Sequence, residues 1–224
     1  MDKIEFLKRY RDDVEMISIN DVNSIITDEW QNVFKEKEQC KRIQNVISIW
    51  KKHCEKELRN TINYISEHLI DVNLIRTSYG VSVIYELVMV DGSIDYYEGL
   101  LSIDDYDKVF TNWDSIPDSV KIFYGFIHNG FYYFASQNMG LLPIQRISCM
   151  NDYDWGIIDD LKLEIPFNLK STYIFFETGM GGYVLLDTEK CGDENSIVWF
   201  SQEKPLFNKN FWDIVDEWIL MGFI

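Results

Sequence analysis

The feature that most constrains the fold of this chain is a change of periodicity near residue 70. From Trp30 to Leu69 there is no Gly or Pro, and apolar residues recur at the three- and four-residue spacing of an amphipathic helix. A single helix of this length would be a rod of about 60 Å, which is too long for a compact domain of this size. We therefore expect a break near Asn60-Thr61, or a helix that projects or wraps.

The segment upstream of that stretch is also predicted to be helical. Residues 2–17 place their apolar side chains roughly on one side of a short helix. Residues 20–24 should end it, and Thr27 or Asp28 is a suitable N-cap for the helix that follows.

Beyond the change of periodicity, the pattern is that of short strands. Asp91-Gly92 separates the β-prone runs 81–90 and 93–101, which is a strong hairpin signal. Pro117 opens an amphipathic helix that should stop at Asn129-Gly130. Further strands are predicted at 131–136, 141–147, 161–165, 173–178, 183–187 and 196–201, followed by a last helix at 208–221. Because no strand–helix–strand crossover repeats, this order predicts an α+β fold, with helices packed against an antiparallel β-sheet.

The charge balance changes at the same place as the periodicity. Residues 1–76 contain 13 Lys+Arg and 14 Asp+Glu, whereas residues 77–224 contain 8 and 23, so the net charge of −16 lies almost wholly in the second part. We predict a helical N-terminal extension over 1–75 and an α+β domain over 76–224, or alternatively one compact unit. Nucleic acid is not expected as a partner, because phosphate binding needs a basic face. A basic protein surface is expected to be attracted, unless the acidity serves only solubility.

The composition offers little support for metal or redox chemistry. Cys40, Cys54, Cys149 and Cys191 are widely spaced and form no CxxC pair, which favours reduced thiols in a cytoplasmic setting. The three histidines do not cluster with them, so we expect no metal site and no cofactor. There is no run of about 18 apolar residues and no apolar signal core, so neither a membrane span nor export is predicted.

Four motifs in the C-terminal half occur in a recognisable order. They are Ile116-Pro117 opening a helix with Phe123, Tyr124 and Phe126 before Asn129-Gly130; LLPI at 141–144; a Gly-Gly-Tyr strand at 181–187; and a terminal helix with Phe211, Trp212 and Trp218. Over roughly residues 110–220 the chain therefore resembles the SUKH superfamily, the Smi/Knr-like proteins found widely as bacterial immunity proteins. It departs from that family in carrying about 100 residues before the first motif.

The resemblance implies a non-enzymatic immunity protein that binds and neutralises a cognate bacterial toxin. Members of the family share an α+β fold and differ in their partners, which are often nuclease-type toxins, and no catalytic residue carries over. The alternative is a regulatory or scaffold module of the same fold with a non-toxin partner. In that case the predicted helix from Trp30 to Leu69 would either bind the non-toxin partner or form a homodimer.

One acidic segment is the candidate partner-binding site. Its members are Asp152, Tyr153, Asp154, Trp155, Asp159 and Asp160. Aromatic anchors ringed by charge are typical of interface hot spots. The alternatives are that Trp155 packs on the core while the acids are solvated, or that the segment binds calcium, for which the final Glu is not at the required place. Two further acidic turns, at 104–107 and 189–194, would share the surface.

Two other features invite a chemical interpretation. Residues 179–182 could be taken for a phosphate-binding loop, but the required Lys and the following helix are missing, so we expect a tight turn. His128 lies at a predicted helix end, where a cation interacts well with the helix dipole, and it would be the general base of any hydrolase. No Ser or Cys nucleophile is paired with it by a motif. Phe123, Tyr124 and Phe126 are expected to be core contacts.

Overall fold

The computed structural model describes residues 3–22, 26–103, 105–153, 167–200 and 203–224. Within these residues, ten strands form one sheet in which each strand pairs antiparallel with the next one in sequence. The strands are β1 Glu15–Ile17, β2 Leu69–Thr77, β3 Gly80–Val88, β4 Ile94–Leu100, β5 Phe131–Tyr133, β6 Gly140–Leu141, β7 Thr172–Glu177, β8 Gly182–Asp187, β9 Asn195–Phe200 and β10 Leu206–Asn210. The helices are α1 Lys3–Lys8, α2 Asp28–Lys35, α3 Gln39–Cys54, α4 Arg59–His68, α5 Asp118–Ile122 and α6 Phe211–Phe223. The predicted α+β fold with an antiparallel sheet is confirmed.

The helices and the sheet enclose the main hydrophobic core. Side chains alternate across the sheet, so that on β3 Val83 and Tyr85 face this core while Ile84 faces the other way. Trp50 of α3 and Trp212 of α6 are almost completely buried in the same core. One face of the sheet is therefore covered by helices.

Two smaller clusters cover the opposite face. The N-terminal arm, which we define as residues 3–17, places Leu7 and Val14 over the outward side of β2–β5. Lys3 Nζ fixes the start of the arm by an ion pair of 2.6 Å with Glu86. Over the other half of the sheet, Met150 and Phe167 pack on outward residues of β7–β9. Both faces are thus shielded, which explains why the strands are rich in apolar residues.

The helical stretch from Trp30 to Leu69 is broken, as expected for its length, and forms α2, α3 and α4. It turns at 36–38 and again at 55–58, close to the expected break near Asn60-Thr61. As predicted, Thr27 caps α2, where its hydroxyl accepts from the Trp30 amide at 3.4 Å. The apolar stripe is folded onto the sheet, so these side chains are used in the chain's own core and do not favour a homodimer through this segment.

The cause of the second break is a tertiary contact. Asp216 of α6 is buried, and its carboxylate accepts from the Asn60 amide at 2.9 Å and from the Thr61 amide at 2.8 Å. The first turn of α4 is thereby capped by a residue more than 150 positions away. Sequence spacing alone does not reveal such a cap.

Other strand and helix predictions need correction. The N-terminal helix predicted over 2–17 ends at Lys8, and β1 then pairs with β2 because Val14 must reach the outer cluster. The strand predicted over 141–147 ends at Leu141, since Pro143 follows and a single 3₁₀ turn begins at Ile144. Strands β2 and β10 were not predicted at all. The last helix begins at Phe211, where the Asn210 side chain accepts from the Trp212 amide at 2.9 Å. The strand predicted over 161–165 lies outside the described residues.

Two predicted turns are confirmed, and one of them explains a pair of motifs. Gly92 has φ +83° in the β3–β4 hairpin, and Gly130 has φ +85° after the helix that starts at Pro117. A Cβ on Gly130 would lie 2.5 Å from the Pro143 nitrogen. Asn129 Oδ1 accepts from the Ile144 amide at 2.8 Å, so Asn129-Gly130 and LLPI lock together. Phe123 and Tyr124 are buried as expected, whereas Phe126 is 46% exposed and is not a core residue.

The predicted boundary at residue 75 falls inside β2. That strand pairs with β3 from Leu69 to Thr77, across the boundary. The main core joins Val46 of α3 with Phe176 of β7 in one cluster. The segments 1–75 and 76–224 therefore share both a strand pair and a hydrophobic core.

We predict that Asp216→Ala lowers the free energy of unfolding by about 1–3 kcal/mol, because the buried Thr61 amide and the partly buried Asn60 amide of α4 lose their acceptor. Asp213→Ala is the matched control. Asp213 lies in the first turn of the same helix but is exposed, so its replacement should change stability by less than about 0.5 kcal/mol. Urea unfolding measures both values, and equal effects would refute the capping role of Asp216.

Candidate partner-binding site

The register of the sheet brings the predicted acidic turns to one end. In a meander, alternate connections lie at the same end, so those following β2, β4, β6 and β8 lie opposite those following β1, β3, β5, β7 and β9. The described residues of the first set, 78–79, 101–103, 105–130, 142–153, 167–171 and 188–194, include 8 acidic and 5 basic residues. Those of the second set, 18–22, 26–68, 89–93, 134–139, 178–181 and 203–205, include 10 acidic and 9 basic residues, so the net negative charge is larger in the first set. We call the first set the acidic end.

Tyr173, at the start of β7, joins two of these connections. Its hydroxyl accepts from Asn112 Nδ2 at 2.9 Å, and its ring packs edge-on against Phe110 at 4.7 Å. On the other side, its backbone forms an isolated β-bridge with Cys149. The turn that contains Asp105 and the turn that contains Asp152 are therefore held against the same residue.

Glu194 joins the connection 188–194 to the connection 101–130. Its carboxylate accepts hydrogen bonds from Ser119 Oγ in α5 and from Asn210 Nδ2, the latter at 3.1 Å. Nearby, Cys191 Sγ donates to the Ser115 carbonyl at 3.3 Å. Glu194 thus acts as a structural acceptor and is not a free surface charge. The three connections form one cross-linked surface.

The structure describes only part of the predicted site. Asp152 is exposed at the end of the turn Met150–Asp152, and Tyr153 is 43% exposed with its hydroxyl 2.7 Å from Ser148 Oγ. The other predicted members, Asp154, Trp155, Asp159 and Asp160, lie outside the described residues, as does Asp104. Among the remaining acids, Asp107, Glu189 and Asp193 are exposed.

Two acids of this end were not singled out from the sequence. Asp114 and Asp118 are exposed on either side of Pro117, and Lys121 Nζ lies 3.4 Å from the Asp118 carboxylate. An acid directly after the proline that opens a helix is a readable signal, since it faces the positive end of the helix dipole. Asp105 is partly neutralised as well, because Lys108 lies 2.6 Å away and lowers the pKa of its carboxyl group.

His128 lies at a helix end, as expected from the sequence, but its side chain is part of the core. Its side chain is completely buried, and this burial lowers the pKa of the imidazole to about 3. Trp50 Nε1 donates to the Tyr85 hydroxyl at 2.9 Å, and that hydroxyl forms a second hydrogen bond, of 2.6 Å, with His128 Nε2. A Cβ on Gly99 would lie 2.2 Å from the imidazole Cδ2, so only glycine fits there. His128 is therefore neutral and inaccessible to a substrate.

Residues 179–182 form the tight turn that was expected. Gly179 and Gly181 both have positive φ, and β8 follows directly. Thr178 Oγ1 accepts from the amides of Met180 and Gly182 at 3.2 and 3.0 Å. These amides are occupied within the turn and do not point into a phosphate-sized cradle.

Other chemistry finds little support in the described part of the chain. There, no group of three or more His, Cys, Asp or Glu side chains is placed to hold a metal ion. Nor does any helix of those residues combine the length and apolar character needed to cross a membrane. Cys40, Cys54, Cys149 and Cys191 are all free thiols.

Comparison of the chain with protein-family models, with curated proteins and with solved structures yields no match. The resemblance to the SUKH superfamily therefore stays a prediction based on the four sequence motifs. Arguments about function must rest on the geometry and charge described above.

We predict that the buried His128 makes the protein less stable as the pH falls below 6.5. The unfolded chain binds a proton at this imidazole near pH 6.5, whereas the folded chain does not until about pH 3. Stability should therefore decrease on acidification through this window, by at most about 1.4 kcal/mol per pH unit from this group.

The measurement is urea unfolding of the wild-type chain and of His128→Gln between pH 7.5 and 4. Carboxylates titrate alike in both proteins, so the difference between the two curves isolates His128. The difference between the free energies of unfolding of the wild type and His128→Gln should become steadily smaller as the pH falls. Parallel curves would show that the pKa of His128 is the same in the folded and the unfolded chain.

Proposed function

We propose that this chain is a non-enzymatic immunity protein, similar to the SUKH superfamily, that binds a cognate bacterial toxin in the cytoplasm and neutralises it. The observation that carries the proposal is the gathering of three acidic connections at one end of the sheet. Tyr173 and Glu194 cross-link these connections, so the surface keeps its shape before a partner arrives. A surface ordered in advance loses less conformational entropy on binding.

The charge at this end suits a basic partner. Asp107, Asp152 and Asp193 are exposed, and none of them has an ion-pair partner within 4 Å in the described part of the chain. Their field would steer a cationic protein toward this end and raise the association rate. A nuclease-type toxin carries such a surface where it binds phosphates, so carboxylates docked there would exclude its substrate.

We predict that neutralising these three carboxylates weakens protection. The variant Asp107→Asn/Asp152→Asn/Asp193→Asn should associate with the toxin domain about tenfold more slowly at low salt, because steering is lost. The experiment co-expresses each variant with the toxin domain encoded beside this chain, scores cell survival, and measures association rates with the purified proteins.

The matched control is Asp91→Asn/Glu203→Gln/Glu217→Gln. It removes the same number of exposed acids, from the hairpin and connection of the opposite end and from α6. We expect it to protect cells like the wild type. Equal loss with both triple variants would mean that only net charge matters. If the wild-type chain rescues no neighbouring toxin, the immunity function itself is refuted.

A further inference from the structure

A groove opens at the acidic end beside β3 and β4, on the half of the sheet remote from Asp152. It consists of two adjoining cavities of about 350 and 160 Å³, which share Tyr79, Leu100 and Gln145 in their walls. We call it the Tyr79 groove. The carboxylates on which the proposed immunity function depends, Asp107, Asp152 and Asp193, do not line this groove.

The larger cavity offers an apolar binding surface. Val81 of β3, together with Leu100 and Leu101 at the end of β4, contributes side chains to its wall. Tyr79 is 58% exposed at the β2–β3 turn, where its ring borders both cavities. A volume of this size holds a ring or a short branched chain and fits the usual lower range of small-molecule sites.

The smaller cavity is also mainly apolar, but a cationic side chain lines it. Arg146 lines it with Tyr132, Gln137 and Gln145, and no carboxylate is among its lining residues. Arg146 Nη1 donates to the Gln137 carbonyl at 2.8 Å, and the guanidinium lies 5.6 Å from the centre of the Tyr132 ring. Its Nη2 forms an ion pair of 3.8 Å with Glu177, which is longer than a hydrogen bond and lies outside the cavity lining. The guanidinium therefore retains donors for an anion.

The other arginine of the groove is less suited to an anion. Arg76, in the wall of the larger cavity, donates to the Asp21 carbonyl at 2.8 Å and lies 3.7 Å from Glu15. The Asp21 side chain lines the same cavity, and hydrogen bonds from Ser18 lower the pKa of its carboxyl group, which keeps it ionised. A second anion would be repelled there. Because a carboxylate lines the larger cavity and none lines the smaller one, an anionic ligand group is expected at Arg146 in the smaller cavity.

We propose that the Tyr79 groove binds a small amphipathic carboxylate, with its apolar body in the larger cavity and its carboxylate on Arg146. The net charge of −16 does not oppose this, since salt screens charges beyond about 8 Å at physiological ionic strength. A carboxylate and a guanidinium in contact form a charge-assisted pair that is stronger than a hydrogen bond between neutral groups.

The test uses 4-phenylbutyrate as the probe, and its neutral amide as the isosteric comparison. Binding to the full chain is measured by isothermal titration calorimetry. We expect one site per chain for the carboxylate. The dissociation constant should be at least about tenfold larger for the amide binding to the wild type, and for the carboxylate binding to Arg146→Gln. Val81→Trp, which fills the larger cavity, should also abolish binding.

Arg9→Gln is the matched control, because it removes the same charge from an exposed residue of the N-terminal arm. This variant should bind the carboxylate like the wild type. No saturable binding to the wild-type chain at millimolar concentration would overturn the proposal. So would equal affinity for carboxylate and amide, or equal losses in Arg146→Gln and Arg9→Gln. These outcomes are measured on the purified chain alone and therefore do not depend on toxin protection.

Discussion

The rest of the structure depends on the pairing of each strand with the next one in sequence. Backbone amides and carbonyls buried between two layers must find partners, and ten antiparallel neighbours satisfy them without any crossover. Such pairing allows only two positions for a connection, at one end of the sheet or at the other. The surface chemistry of this protein follows from that alternation, because acidic residues outnumber basic ones more strongly in the described connections of one end.

Buried polar contacts then fix how the helices and the arm lie on the sheet. Asp216 caps α4 from α6, and Trp50, Tyr85 and His128 form a hydrogen-bonded chain inside the main core. On the opposite face, Arg11 of the N-terminal arm pairs with Glu98 of β4, and both side chains are almost fully buried. Groups of this kind are costly when unpaired, so they favour one arrangement of the layers over the alternatives.

Local signals made part of this fold predictable. The Asp91-Gly92 hairpin, the helix after Pro117 and the stop at Gly130 depend on φ preferences that a few adjacent residues determine. Contacts between distant residues decided the rest. The capping of α4 by Asp216 is such a case, and so is the exposure of Phe126, whose ring stacks on His53 of α3. In the candidate site, the acidic turns were visible in the sequence, but their gathering at one end depends on strand register, and the roles of Glu194 and Tyr173 depend on tertiary contacts.

The central claim is that this end of the sheet is a docking surface for a basic protein. Hydrogen–deuterium exchange of the chain, alone and with the proposed basic toxin partner, tests the claim without altering any residue. The account predicts that bound partner slows exchange in residues 105–117, 147–153 and 188–194. Slower exchange confined to the turns at 89–93 and 178–181 of the opposite end would contradict it.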